Sequence, residues 1–167
     1  MAGFRSTWAA DKAANRGYPK SLVVLWWFRA AQAARAHRVT RLVLYPFVGS
    51  FYKFLSEWML GIELPASTEV APGLRLRHGV GLVVNPATRI GAGVMLRQGV
   101  TLGNRREAKD CPVIGDGVEI GAGATVIGSI VVGVGARIGA GAVVISDVPA
   151  GGVAHVAPTV IRGPGDA

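Results

Sequence analysis

The chain has three histidines, and of these only His78 stands where acid–base chemistry is readily built. It ends the strand-like run Leu74-Arg75-Leu76-Arg77, and the Gly79 and Gly81 that follow leave room for a ligand or a second chain to approach. Glu63 lies fifteen residues upstream. A carboxylate near an imidazole fixes its tautomer and stabilises the imidazolium, which a general base needs when it takes a proton from a hydroxyl. A surface histidine on a strand is the plainer reading of His78 taken alone. Cys111 is the single cysteine, so neither an intramolecular disulfide nor a cysteine-based zinc site can form. Pro112 beside it, and the lack of a nearby histidine in sequence, make it a packed or lining thiol rather than a nucleophile. His37 and His155 complete no metal cluster.

These residues have to be held by a repeat. Aliphatic residues recur every six positions at Ile114, Ile120, Val126, Val132, Ile138 and Val144, at Ile90, Leu96 and Leu102, and at Val70, Leu76 and Leu82. Glycine often follows them, as at Gly115, Gly121, Gly133 and Gly139. A period of six matches neither a helix nor a simple alternating strand. It fits a triangular solenoid with three short strands in each coil of 18 residues, so twelve hexads predict about four coils. The ladder breaks twice. Leu82 to Ile90 is a step of eight, which places two extra residues around Asn85 and Pro86. Leu102 to Ile114 is a step of twelve in which Asn104 to Asp110 offer no inward aliphatic residue, predicting a polar loop that leaves the coil.

A length of 167 residues suits one domain, and a composition half hydrophobic and 17% charged excludes intrinsic disorder. The longest uncharged stretch, Ile120 to Ala136, is 17 residues broken by glycines, too short and too interrupted to span a membrane. The +8 net charge is uneven: residues 1–60 carry nine Lys and Arg against Asp11 and Glu57, giving +7, while residues 61–167 carry nine against eight, giving +1. The basic segment reads as helices over Trp8 to Asn15, Ser21 to His37 with Ser21 as N-cap, and Phe47 to Leu60 with Pro46 at its start. The expected division is a helical cap over 1–61, a solenoid over 62–149 and a tail over 150–167. A second reading of the helices is a membrane-surface contact, with Arg29, Arg35, Arg38, Arg41 and Lys53 beside aromatic faces on anionic lipid. Nucleic acid is excluded, because no recognised module or strand-borne aromatic platform is present. Residues 1–20 contain no continuous apolar core, so the expected setting is cytoplasmic, peripheral to the inner face of the membrane under the second reading.

The unbroken hexads from Ile114 to Val144 resemble those of the hexapeptide-repeat acyltransferases. Glu63 through Val84, Gln98 through Asn104 and Cys111 through Gly115 look like the serine acetyltransferase branch of that family. The short Gly103-Asn104-Arg105 loop with Cys111-Pro112 after it is most similar to the acetyltransferases of exopolysaccharide, colanic-acid type, biosynthesis. The resemblance implies a mainly β fold, a left-handed parallel β-helix with an N-terminal helical segment. It also implies a homotrimer with each active site between two subunits, and acetyl-CoA as co-substrate with no metal. His78 would be catalytic, with Glu63 at the place of the family's paired Asp. CoA would lie along Gly103, Ala122, Gly123 and Ala140, its phosphates met by Arg137 or by Arg105, Arg106, Lys109 or Arg162. The acceptor would meet Arg77, Asn85, Asn104, Arg105, Asp110 and Cys111.

The acceptor expectation turns on departures from the branch. In serine acetyltransferases an Asp precedes the catalytic His, and an Arg-His pair precedes the later Pro; here those places hold Arg77, and Asp110 with Cys111. Without that clamp for the serine carboxylate, the expected acceptor is a sugar hydroxyl, free or lipid-linked, in cell-surface polysaccharide biosynthesis. The alternatives are serine O-acetylation for cysteine synthesis and a non-catalytic trimeric scaffold, which would have no need of a Glu63–His78 pair.

Overall fold

The computed structural model describes residues 3–157. Four helices come first, α1 (Phe4–Ala14), α2 (Pro19–Ala36), α3 (Arg38–Val43) and α4 (Tyr45–Lys53), the last running into a π-helical segment, Phe54–Met59. A left-handed parallel β-helix follows. Its first face stacks β1 (Ile62–Glu63), β4 (Leu82–Val84), β7 (Thr101–Gly103), β10 (Thr125–Ile127) and β13 (Val143–Val144). The second stacks β2 (Glu69–Val70), β5 (Arg89–Ile90), β8 (Val113–Ile114) and β11 (Val131–Val132). The third stacks β3 (Arg75–Arg77), β6 (Met95–Arg97), β9 (Glu119–Ile120), β12 (Arg137–Ile138) and β14 (Val153–Ala154).

The hexads supply the inward rows. Leu76, Leu96, Ile120 and Ile138 stack behind the third face, and Val70, Ile90, Ile114 and Val132 behind the second, all buried. There are about five coils rather than four, because β1 opens the first face ahead of the hexads counted and β14 extends the third past the expected boundary at 149.

The first ladder break lies elsewhere than expected. Ile62 pairs with Leu82 and Leu76 with Leu96, each a step of 20, whereas Val84 pairs with Leu102, a step of 18. The two extra residues therefore fall between Arg77 and Leu82, at the corner that contains His78, and not around Asn85 and Pro86. The apolar pattern admits either frame because each strand turns two residues inward, and here Leu82 and Val84 are both buried. The second break is as expected: Ile90 pairs with Ile114, a step of 24, and Asn104 to Lys109 leave the coil exposed.

The first coil presents an open edge on all three faces, and side chains of the helices complete its hydrogen bonds. Just before β3, the amides of Gly73 and Leu74 donate to Asp11 Oδ1 (2.7 and 3.1 Å), and within it the Leu76 amide donates to Asn15 Oδ1 at 3.0 Å. Asn15 Nδ2 donates to the Leu74 carbonyl at 2.7 Å, and the Ser21 hydroxyl donates to that of Leu76 at 2.9 Å. On β2, Arg29 donates to the carbonyls of Val70 and Ala71 (2.8 and 2.9 Å) and Gln32 to that of Thr68 (3.0 Å). On β1, the buried Tyr52 hydroxyl donates to the Leu64 carbonyl at 2.6 Å. Ser21 is therefore not the N-cap of α2, which starts two residues earlier at Pro19, where a missing N–H costs nothing. Arg29 is not a surface cation either: it is buried and pairs with the fully buried Asp11 at 2.7 Å.

Candidate functional site

His78 occupies the inserted corner between β3 and β4, where the coil has no need of it. Its backbone is left-handed (φ 61°), the one such non-glycine among the described residues. Gly79 is packed so closely on β1 that a Cβ there would sit 2.8 Å from Ile62 Cδ1. The Gly81 amide donates to the Gly61 carbonyl at 2.7 Å, which ties the corner to the start of β1 and brings His78 and Glu63 to the same part of the first coil. Glu63 is exposed on the outer side of β1, and no hydrogen bond or ion pair joins it to His78 within one chain among the described residues.

The neighbour His78 does have is Tyr18, whose ring lies edge-on to the imidazole at 6.1 Å. The other side of Tyr18 is held by Arg77, whose guanidinium stacks on the phenol ring at 4.0 Å while donating to Asn15 Oδ1 and the Ala14 carbonyl, both at 3.0 Å. Arg77 is thus committed to the end of α1. Tyr18 of the α1–α2 turn, with Lys20 and Ser21 of the first turn of α2, forms one wall of a cleft of about 430 Å³, with Leu60, Ile62 and the His78–Val80 corner as the other. Sequence reasoning passed over Tyr18 and Lys20 because they fall between two predicted helices; the Gly17-Tyr18-Pro19 turn was the available signal. If His78 is catalytic, as the resemblance implies, Tyr18→Leu is expected to lower kcat roughly fivefold, the worth of one aromatic pair, and Tyr18→Phe to restore it, because the ring and not the hydroxyl makes these contacts. Steady-state thiol release read as kcat and KM separately checks this.

The remaining predicted residues fall into two groups. Gly81, Gly99, Gly123 and Gly141 have φ of 66–75° and stack down the corner that begins at His78, where a Cβ on Gly99 would meet Gly123 Cα at 3.5 Å. Ala122, Gly123 and Ala140 lie on this edge, the Gly141 amide donating to the Ala122 carbonyl at 2.9 Å. Arg137 is exposed on β12, and Gly103 closes β7. Arg162 lies outside the described residues.

Asn85, Asn104, Arg105, Asp110 and Cys111 gather at the opposite edge of the first face, about 13 Å away across a four-residue step. There Asn85 Nδ2 donates to Asn104 Oδ1 at 3.2 Å, and the Arg106 amide donates to Asp110 Oδ2 at 3.3 Å. The Ser129 hydroxyl, followed by the backbone amides of Ser129 and Arg106, holds the Asp110 carboxyl below the usual carboxylate range, so it is charged. Cys111 is buried, and burial pushes its thiol up, keeping it protonated and unreactive. One chain therefore brings His78 together with the Ala122–Ala140 edge and does not bring it to the loop. Among the described residues no three His, Cys, Asp or Glu side chains cluster to hold a metal ion.

No family model matches the chain. It is 35% identical to a serine acetyltransferase of Synechocystis over 135 residues, 78% of this chain and 53% of the relative. It is 36% identical over 80 residues to WcaB of Escherichia coli K12, named as an acetyltransferase of colanic acid biosynthesis, covering 47% of this chain and 49% of that one. The chain thus spans about half the length of these relatives. Among solved structures, soybean serine acetyltransferase superposes with a TM-score of 0.78 at 31% identity, over 93% of this chain and 67% of that one. Isoform 3 from Entamoeba histolytica, in complex with cysteine, gives 0.76 at 25% identity, over 96% and 61%.

Proposed function

Since the chain belongs to the serine acetyltransferase branch of the hexapeptide-repeat acyltransferases, we propose that it transfers an acetyl group from acetyl-CoA to a hydroxyl. The observation that carries this reading is His78, set on an inserted left-handed corner and facing a cleft large enough for a small acceptor. His78 takes the hydroxyl proton as the oxygen attacks the thioester carbonyl. The new C–O bond forms, the C–S bond breaks, and the imidazolium returns the proton to the CoA thiolate. Tyr18 backs the imidazole, and Glu63, which makes no bond to His78 in the single chain, would have to turn toward it in the assembled, substrate-bound enzyme to orient it. The pantetheine arm follows the glycine edge past Gly123 and Ala140. A homotrimer is part of the proposal, because one chain leaves the Asn104–Asp110 loop apart from His78 and a neighbouring copy would have to supply it.

The relatives' names support serine as acceptor better than the sugar that the sequence led with. The sugar stands as the second reading on specific residues. Arg77 is committed to Tyr18 and α1, and the charged Asp110 repels a carboxylate where the branch has an Arg-His pair. Thiol release from acetyl-CoA, measured with serine, simple sugars and nucleotide-sugars, separates the readings. Serine is expected to give the highest kcat/KM. Turnover with a sugar and not with serine reverses the order, and silence with every acceptor favours the scaffold.

A further inference from the structure

The segment from α3 through the π-helical turn carries an apolar face that the described residues leave largely open, Phe51 alone of its aromatics stacking on another ring, that of Trp27 at 4.5 Å. Phe47, Phe51, Phe54 and Trp58 recur at steps of four, three and four, a single helical stripe, and the wider π turn keeps Trp58 in line. They are 77, 47, 53 and 80% exposed, while Tyr52 and Ser56 between them are buried against the body. Leu42 on the preceding α3 is likewise exposed, at 78%. Isolated apolar side chains on a surface mean little, but a contiguous aromatic stripe marks a contact.

The segment that carries this stripe is basic. Arg38, Arg41 and Lys53 are exposed, and the sole acid from residue 38 to 59, Glu57, is already paired with Lys53 at 3.7 Å. We infer that this face docks the protein on an anionic lipid surface, the aromatics at the boundary of headgroups and acyl chains and the arginines on acidic headgroups. The excess of arginines favours an acidic occupant, and it opposes a face-to-face contact of two copies, which would bring these basic faces together. No helix among the described residues is long and apolar enough to cross a membrane, so the segment lies on the bilayer. The inference is independent of which acceptor the enzyme uses.

The test is co-sedimentation of the full chain with vesicles of phosphatidylglycerol and phosphatidylcholine, against vesicles of phosphatidylcholine alone. The mixed vesicles are expected to take up the protein at least roughly tenfold better, and 0.5 M salt to remove most of that gain. Arg38→Gln with Arg41→Gln should weaken the partition roughly thirtyfold. Arg89→Gln with Arg97→Gln removes the same charge from the coil and should change it by no more than about twofold, which separates this face from the net charge of the chain. Phe47→Ser with Trp58→Ser should abolish uptake without lowering Tm, since both side chains are exposed. Equal uptake by the two kinds of vesicle, or none by either, overturns the inference. So does an aromatic variant that splits a larger assembly while vesicle binding is unchanged, an outcome that would make the face a contact between copies.

Discussion

A His78→Asn variant is expected to stay folded and to lose roughly 10²–10⁴-fold in kcat for CoA release, the range removed with a general acid–base group. Asn is the informative replacement because the residue sits at φ 61°, a region that Asn tolerates far better than Ala. An unchanged melting curve then separates lost chemistry from a lost corner. The two residues of the insert carry no inward side chain of the ladder, so the coil should be indifferent to the change. A His78→Asn enzyme with full turnover would remove this residue from the mechanism and direct attention to Lys20 across the cleft.

The second large effect concerns stability. Asp11→Ala is expected to cost about 3–5 kcal/mol by leaving Arg29 buried without its partner, a fall in Tm of roughly 6–20 °C for a chain of this size. Buried ion pairs can often be replaced by apolar residues with little loss. This one should resist that treatment, because its two members also satisfy the amides of Gly73 and Leu74 and the carbonyls of Val70 and Ala71. Each buried backbone group left unpaired costs roughly 1–3 kcal/mol. Asp11→Leu with Arg29→Met should therefore melt no higher than Asp11→Ala. Recovery to the wild-type Tm in a thermal melt would mean that the edge of the first coil does not depend on these side chains.

Periodic features were legible in the sequence, and features made by one-off contacts were not. Ile90 through Val144 announced their strands because every inward row repeats the same apolar requirement at a fixed step. The frame slipped at Leu82, where two inward residues per strand allow two equivalent phasings, and only the pairing of Val84 with Leu102 decides between them. Ser21 and Arg29 carried ordinary surface signatures, an N-cap and a helix cation. Their burial comes from contacts more than forty residues away in the first coil, to Leu76 and Val70, which no local pattern encodes. His78 was found by its rarity and its neighbouring glycines. Tyr18 was missed because a turn aromatic acquires a role only when α1 folds back beside β3.

The helical segment also bears on how the chain is made. Strands in the coil pair with partners 16 to 24 residues away, so successive turns can zip up as they emerge. The contacts of Asp11, Asn15 and Ser21 with β3 and the two residues before it span 55 to 63 residues, yet the helical side is synthesised first. When the first coil leaves the ribosome, the groups that will quench its bare parallel edge are already outside. An exposed edge of that kind is a template for pairing with other chains, and nascent chains are most vulnerable while such edges are open. Placing the cap at the N-terminus shortens that interval, giving the newborn protein a protection against aggregation that the finished fold no longer reveals.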